Sequence, residues 1–234
     1  MPYTGASGPC KHLLNDSATS EQIKQYSDQV RRSKNPCHLL SCPLCQVTPE
    51  HFKRHDKRQR QFLVIVEQFV QVVIGLLTCW KCPGCGKCFT GYPCFALPYK
   101  HYTLPTICSF SQRYVENDSM TYRKLIQQNP IGSFQIGNAA EWQLDHSTIH
   151  RWISTLGQLD TITRKTQDLI LQADPASTVC RDLAGLTVTC RKYASEKRKT
   201  LLLTCRRLLD LEKQFCRLFD VSIFHNLATK WAYR

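Results

Sequence analysis

Two apolar runs rich in β-branched residues stand out in the first half of the chain, at about Arg60–Glu67 and Phe69–Thr78. Runs of this length and composition are typical of buried strands. The stretch that contains them is short for a membrane span and is interrupted by a carboxylate and several amides. The pattern therefore predicts a β-hairpin here and no membrane partner.

Beyond residue 105 the apolar positions recur every three or four residues, which is typical of amphipathic helices. Three helices are predicted, at about Met120–Gln128, Ser147–Leu156 and Ala194–Asp220, and a short one is possible around Ser20–Arg31. Pro130 and Pro175 mark breaks in the helical pattern. The second half of the chain is thus expected to be almost entirely helical.

The charge balance points to a polyanionic partner. The 234 residues include 31 Lys and Arg against 18 Asp and Glu, a formal net charge of +13, and a hydrophobic share of 42% argues against a disordered chain. A strong positive excess favours nucleic acid or an anionic membrane surface. The scarcity of membrane-like sequence favours nucleic acid.

The 14 cysteines fall into two populations. Ten lie before residue 109, several at two-residue spacing, whereas Cys180, Cys190, Cys205 and Cys216 stand singly among helical residues and are typical of small core side chains. The first residues show no secretory pattern, so we expect a reducing, cytoplasmic location in which the paired cysteines bind metal.

Two Cys-x-x-Cys motifs frame the predicted hairpin, namely Cys42/Cys45 and Cys82/Cys85. Two-residue spacing lets both sulfurs of a tight turn reach one ion, and the arrangement predicts a four-cysteine zinc ribbon with a closed, structural site. Cys79 and Cys88 offer alternative registers, but only Cys82/Cys85 encloses a Pro-Gly turn. A second site is an open alternative, built from Cys10, His12, Cys37 and His38.

A basic segment follows the first motif. Five cations oppose one carboxylate, Asp56, between residues 51 and 60: Lys53, Arg54, Lys57, Arg58 and Arg60. On one edge of a rigid hairpin they would form a phosphate-facing stripe that gives salt-sensitive affinity without sequence preference. A solvated surface is the alternative interpretation.

The predicted helices at Met120–Gln128 and Ser147–Leu156 suggest a helix-turn-helix. Asp118 or Ser119 is expected to cap the first, and Asp145 or His146 the second. An apolar stripe of Ile149, Trp152, Ile153 and Leu156 would leave short polar residues and an arginine exposed, as in a major-groove recognition helix. The candidate DNA contacts are Tyr122, Arg123, Lys124, Ser147, Thr148, His150 and Arg151.

Residues 40–157 resemble a family of bacterial transposon-associated zinc-ribbon proteins. The resemblance rests on CPLC, on the basic segment HFKRHDKRQR and on CPGCGKCFTGYPCFALPYKHYTLP. In addition, LDHSTIHRWI resembles the recognition helix of transposase and recombinase DNA-binding domains. The resemblance implies that Cys42, Cys45, Cys82 and Cys85 hold zinc and that Ser147–Arg151 faces DNA. The long connection after Pro130 departs from a compact helix-turn-helix.

Together these patterns predict an α+β, mainly α, fold in four parts. These are a polar and basic segment (1–36), a small β-hairpin zinc ribbon (37–104), a helix-turn-helix domain (105–160) and a C-terminal helical region (161–234). In the last part, a cluster of basic residues is either a phosphate contact or a solvated surface: Arg191, Lys192, Lys197, Arg198 and Lys199. The long helix there either packs within the domain or forms a homodimer.

The predicted function is zinc-dependent, sequence-specific binding of double-stranded DNA by a cytoplasmic, nucleoid-associated protein of a mobile element, working with a separate recombinase or as a regulator. A catalytic transposase is disfavoured because only 77 residues follow residue 157, with a helical pattern and no carboxylates at strand ends. We therefore expect no enzyme. An RNA-binding or protein-bridging module is the alternative, for which Tyr92, Phe95, Tyr99 and Tyr102 would form a stacking platform.

Overall fold

The computed structural model describes residues 16–66, 69–128, 132–133, 144–186, 195–220 and 222–224. These separate into two compact units. The sheet unit comprises described residues 16–66, 69–106, 132–133 and 224, and the helical unit comprises 107–128, 144–186, 195–220 and 222–223. The fold class is α+β and mainly helical, as predicted.

The sheet unit is built on a long antiparallel hairpin of β1 (Lys53–Val66) and β2 (Phe69–Lys81). β3 (Cys88–Gly91) pairs antiparallel with the end of β2, and a two-residue strand, β4 (Gly132–Ser133), pairs in parallel with its start. The register brings Val66 opposite Phe69 at the turn and Lys53 opposite Lys81 at the open end. A short 3-10 helix, Pro49–His51, leads into β1.

Helix α1 (Asp16–Arg31) packs on this hairpin. Its Ile23 is buried with Phe62 and Leu77, and at Gly75 an added Cβ would lie 2.7 Å from the Phe62 ring, which explains the glycine. The Ser27 hydroxyl also accepts a hydrogen bond of 3.1 Å from the backbone N–H of Leu76. The helix suggested by the sequence is therefore confirmed, and it belongs to the core of the sheet unit.

The sequence placed the start of the first strand too late. β1 begins at Lys53, seven residues before the predicted Arg60, and residues 53–59 are all exposed. Their strand conformation is due to backbone pairing with β2, including a bulge between Arg54 and Asp56. Apolar periodicity cannot identify a strand segment that buries no side chain.

Within its described residues, the helical unit contains most of α2 (Leu104–Glu116) and five further helices. These are α3 (Tyr122–Gln128), α4 (His146–Gly157), α5 (Asp160–Ala173), α6 (Thr178–Gly185) and α7 (Glu196–Phe219). Helix α7 is central, because α4, α5 and α6 all pack against it. Most of the broad apolar face predicted for this helix is therefore buried within the chain, whereas Leu218 and Phe219 at its end are exposed.

Two of the predicted helix starts can be compared with observed caps. Asp145 caps α4 by accepting a hydrogen bond from the Ser147 backbone N–H at 2.6 Å, as expected. Helix α3 instead begins after Thr121, whose hydroxyl accepts from the Lys124 N–H at 3.1 Å, so the caps predicted at Asp118 or Ser119 are wrong. Thr121 gains the cap because the chain before it forms a separate turn around Asn117, whose side chain binds Ser119.

Within the described part of the chain, none of the helices combines the length and the hydropathy needed to cross a lipid bilayer.

Candidate metal centre and its surroundings

The structure brings four thiols together at the open end of the β1–β2 hairpin. The Sγ atoms of Cys42, Cys45, Cys82 and Cys85 all lie within 4.8 Å of one another. Cys42 Sγ is 3.5 Å from Cys85 Sγ, and Cys45 Sγ is 3.4 Å from Cys82 Sγ. The predicted register is thus confirmed as the one that converges, since Cys79 and Cys88 are not part of the cluster.

The two Cys-x-x-Cys turns have the same backbone structure. In each turn, the backbone N–H of the first cysteine donates a hydrogen bond of 2.9 Å to the carbonyl five residues later. The donors are Cys42 and Cys82, and the acceptors are the carbonyls of Val47 and Lys87. In each, the residue after the second cysteine has a positive φ, 61° at Gln46 and 72° at Gly86. The two turns therefore share one backbone conformation, with glutamine at the left-handed position in the first turn and glycine in the second.

Exchanging residues at the left-handed position should have different effects on stability in the two turns. Gly86→Gln is expected to cost about 1 kcal/mol, because a side chain disfavours this backbone region. No steric term adds to it, since nothing lies within 4 Å of an added Cβ. Gln46→Gly should cause no loss. Chemical unfolding of the metal-loaded variants measures both, and an equal loss in the two would contradict the equivalence of the turns.

An apolar shell surrounds the thiols. Cys42 and Cys82 have no exposed surface, and they pack in one cluster with Leu39, Trp80 and Phe89. Phe52 belongs to the same cluster and stacks on Phe89 with ring centroids 5.9 Å apart. Gly84 lies in this crowded region, because an added Cβ would be 2.9 Å from Val47 Cγ2 and 3.0 Å from Cys45 Sγ.

Backbone amides make part of the cluster acidic. Burial raises the pKa of the Cys42 thiol, but hydrogen bonds from the backbone of Leu44 and Cys45 and from neighbouring thiols outweigh it and bring this pKa to about 7. The backbone of Val47 lowers the pKa of Cys45, but interactions with the other thiols and burial raise it to about 12. Four thiols this close share their protons, and a divalent cation would displace them.

The donor set fits a tetrahedral metal site. With metal–sulfur bonds of about 2.3 Å, the sulfurs of a regular tetrahedron are about 3.8 Å apart. The two observed sulfur pairs at 3.4–3.5 Å and the overall limit of 4.8 Å require only small adjustments. Cys42, Cys45, Cys82 and Cys85 can therefore bind a metal ion, in a site with no position left for a substrate.

The alternative second site is only partly within the described residues. Cys10 and His12 lie outside them. Cys37 packs against the apolar shell of the four-thiol cluster, and burial lowers the pKa of His38. Among the described residues, neither belongs to a group of metal-binding side chains.

The basic segment does not form the uniform stripe that the sequence suggested. Lys57 Nζ donates to the carbonyl of Arg31 at the end of α1 at 2.8 Å. Arg54 donates to the carbonyl of Asn35 and lies over the Trp80 ring, 4.9 Å from its centroid.

Arg60 is also engaged within the sheet unit. It donates to the carbonyls of Leu97 and Lys100 and lies over the rings of Phe62 and Tyr92. Among the described residues, Lys53 has no ion pair or side-chain hydrogen bond, and Arg58 lies 3.9 Å from the Asp56 carboxylate; both side chains are exposed. Three of the five predicted phosphate contacts thus already stabilise the fold.

Helix α4 has the predicted two faces. Ile149, Trp152, Ile153 and Leu156 are at most 3% exposed. On the other side Ser147 and Thr148 are half-buried, while His150 and Arg151 are exposed. Burial, followed by the charges of Arg198 and Arg151, lowers the pKa of His150, which favours the neutral imidazole over the imidazolium.

The candidate contacts on α3 divide into two kinds. Arg123 and Lys124 are exposed. Tyr122 is half-buried, stacks on Tyr114 with parallel rings 4.2 Å apart and accepts a hydrogen bond from Arg198. Its hydroxyl is therefore already used within the helical unit.

Arg198 is a structural residue that the sequence analysis placed in a surface cluster. Its side chain is buried and joins three helices, because it extends from α7 and donates to Ser154 Oγ on α4 at 2.7 Å and to Tyr122 Oη on α3. The sequence did contain a signal of this burial. Arg198 is in helical register with Leu202, Cys205 and Leu209 on the apolar side of α7, and all four are buried.

No protein-family model, no curated protein and no solved structure matches this chain.

Proposed function

We propose that this chain is a zinc-dependent, sequence-specific double-stranded DNA-binding protein in which a zinc ribbon precedes a helix-turn-helix. The observation that carries the proposal is the convergence of four thiols at the end of a hairpin whose segment 37–104 has eight Lys and Arg against three acidic residues. A rigid, positively charged element suits a phosphate backbone.

Zinc is the metal proposed for the site. Tetrahedral coordination by four thiolates favours zinc or an iron–sulfur centre. A single zinc ion fits the four sulfurs, whose mutual distances leave room for one ion. The role is structural, since four protein ligands complete its coordination.

Helix α4 is the proposed recognition helix. Its buried stripe leaves a polar first turn and a neighbouring arginine accessible, which are the residue types that contact base edges in the major groove. An uncharged His150 can donate or accept a hydrogen bond there. Arg123 and Lys124 on α3 would contact phosphates beside it.

The cellular role is proposed from the resemblance of residues 40–157 to transposon-associated proteins. It favours an accessory or regulator of transposition without catalytic activity of its own, acting in the cytoplasm beside a separate recombinase. The homodimer remains a proposal. Most of the apolar face of α7 does not support it, because that part packs against α4, α5 and α6 and only Leu218 and Phe219 at the helix end are exposed.

Single-stranded RNA is the weaker candidate. Phe95 and Tyr102 are at most 7% exposed, and Tyr92 lies under Arg60, so of the four aromatic side chains only Tyr99 is broadly exposed. The test is competition between duplex DNA and single-stranded RNA at several salt concentrations, followed by selection of a preferred duplex from random sequence. Preference for RNA, or selection of no duplex, would overturn the proposal.

Replacing Arg151 should reduce discrimination between DNA sites. Its guanidinium is exposed and held by a 3.2 Å hydrogen bond to Ser147 Oγ, so it can contact a base edge. We expect Arg151→Gln to lower the ratio of specific to non-specific affinity about tenfold or more, since a bidentate base contact contributes about 1–3 kcal/mol. Arg181→Gln, an exposed arginine of α6, is the control and should keep the ratio. Equal weakening on all sequences would contradict base reading by Arg151.

A further inference from the structure

Two lysines face each other at the metal end of the hairpin. Lys53 on β1 and Lys81 on β2 are direct cross-strand partners, and both are exposed. Like charges directly opposite in a sheet destabilise it. Among the described residues, no carboxylate forms an ion pair with either lysine. The chain therefore holds two uncompensated cations side by side.

The other cations of the basic segment already have hydrogen-bond or ion-pair partners within the sheet unit. Arg54 and Lys57 bind carbonyls at and beyond the end of α1, and Arg60 binds two carbonyls of the segment after β3. Arg58 shares its charge with Asp56. Lys87, in the second cysteine turn, is exposed and adds a third cation near the same end.

We propose that the Lys53–Lys81 pair, with Lys87 beside it, is the surface of the sheet unit that binds the phosphate backbone of duplex DNA. This inference rests on the proposed function and assigns the phosphate contacts of the hairpin to different residues. A phosphate between two ammonium groups removes their repulsion and accepts hydrogen bonds from both. Arg54, Lys57 and Arg60 instead hold the hairpin in place through hydrogen bonds to backbone carbonyls.

The competing explanation is charge compensation of the metal centre. Four thiolates with one divalent ion carry a net charge of −2, and Lys81 and Lys87 flank the second cysteine turn. On that explanation, removing lysine charge weakens metal binding. On ours, it weakens DNA binding while the metal stays bound.

The experiment compares two double variants of the full zinc-loaded chain. Lys53→Gln/Lys81→Gln removes the facing pair. Lys24→Gln/Lys165→Gln removes the same formal charge from exposed positions on α1 and α5. The logarithm of the duplex-binding constant is measured against the logarithm of salt concentration, with metal content determined for each protein. A third variant, Arg54→Gln, is measured for binding and thermal unfolding.

We expect the facing-pair variant to reduce the salt slope by about 2, since each lost phosphate contact lowers it by about 0.9. The control pair should leave the slope unchanged, and Arg54→Gln should lower the unfolding temperature while keeping the slope.

An unchanged slope in the facing-pair variant, an equal reduction in the control, or loss of zinc from the facing-pair variant would overturn the inference and leave the proposed function standing. A wild-type chain that binds no duplex would instead overturn the proposed function itself.

Discussion

The purified protein is expected to contain one zinc ion per chain, and the substitution Cys85→Ser should abolish zinc binding. Cys85 Sγ lies 3.5 Å from Cys42 Sγ inside the four-thiol cluster, and among the described residues no further metal-binding side chain belongs to that cluster. Structural zinc contributes on the order of 10 kcal/mol to the folding of small modules, which is comparable to the whole stability of a typical domain. Loss of zinc should therefore unfold at least the metal end of the sheet unit. Elemental analysis and thermal unfolding measure the two effects.

Cys88→Ser is the matched control. Cys88 is exposed, lies three residues from Cys85 and is not part of the cluster. It should retain stoichiometric zinc and wild-type stability. Retention of zinc by Cys85→Ser, or its loss from Cys88→Ser, would show that a different set of sulfurs holds the ion. Absence of zinc from the wild-type protein would refute the metal centre.

The second large effect is expected at the end of α4, where Gly157→Ala should strongly destabilise the helical unit. An added Cβ would lie 2.3 Å from the Leu201 carbonyl oxygen and 2.9 Å from its carbonyl carbon, both on the backbone of α7. Backbone atoms cannot rotate away as a side chain can, so the two helices must move apart. We expect a loss of about 3 kcal/mol in the free energy of unfolding, measured by chemical denaturation.

Gly185→Ala, at the end of α6, is the control for this substitution. Nothing lies within 4 Å of an added Cβ there, and alanine is the better helix former. It should leave stability unchanged or raise it by up to about 1 kcal/mol. If Gly157→Ala were as well tolerated as Gly185→Ala, the close approach of α4 to α7 would be wrong.

Local patterns were sufficient to predict the metal cluster and the faces of the helices. A Cys-x-x-Cys turn carries its own geometry, and the observed turns at Cys42 and Cys82 repeat the same hydrogen bonds. The stripe from Ile149 to Leu156 is buried as its spacing indicated, and Asp145 caps α4 as expected. In these cases each residue interacts with neighbours a few positions away in the chain, or belongs to a motif whose partner motif can also be recognised in the sequence.

The fate of the charged residues could not be predicted in the same way. Arg54, Lys57 and Arg60 were candidate phosphate contacts, yet each binds a carbonyl between 19 and 40 positions away in the chain. Arg198 was assigned to a surface cluster, yet it lies buried between Tyr122 and Ser154. A long cationic side chain can be satisfied by solvent, by a phosphate or by a carbonyl, and composition does not show which of them it meets.

By itself, the sequence determined that two Cys-x-x-Cys turns would supply a four-thiol cluster able to hold a metal ion and that the described second half would be mainly helical, because both follow from local patterns. The tertiary structure alone decided where β1 begins, which lysines stay uncompensated, and why Gly157 must be glycine. Those outcomes depend on partners far away in the chain, and only the folded backbone brings the partners within contact distance.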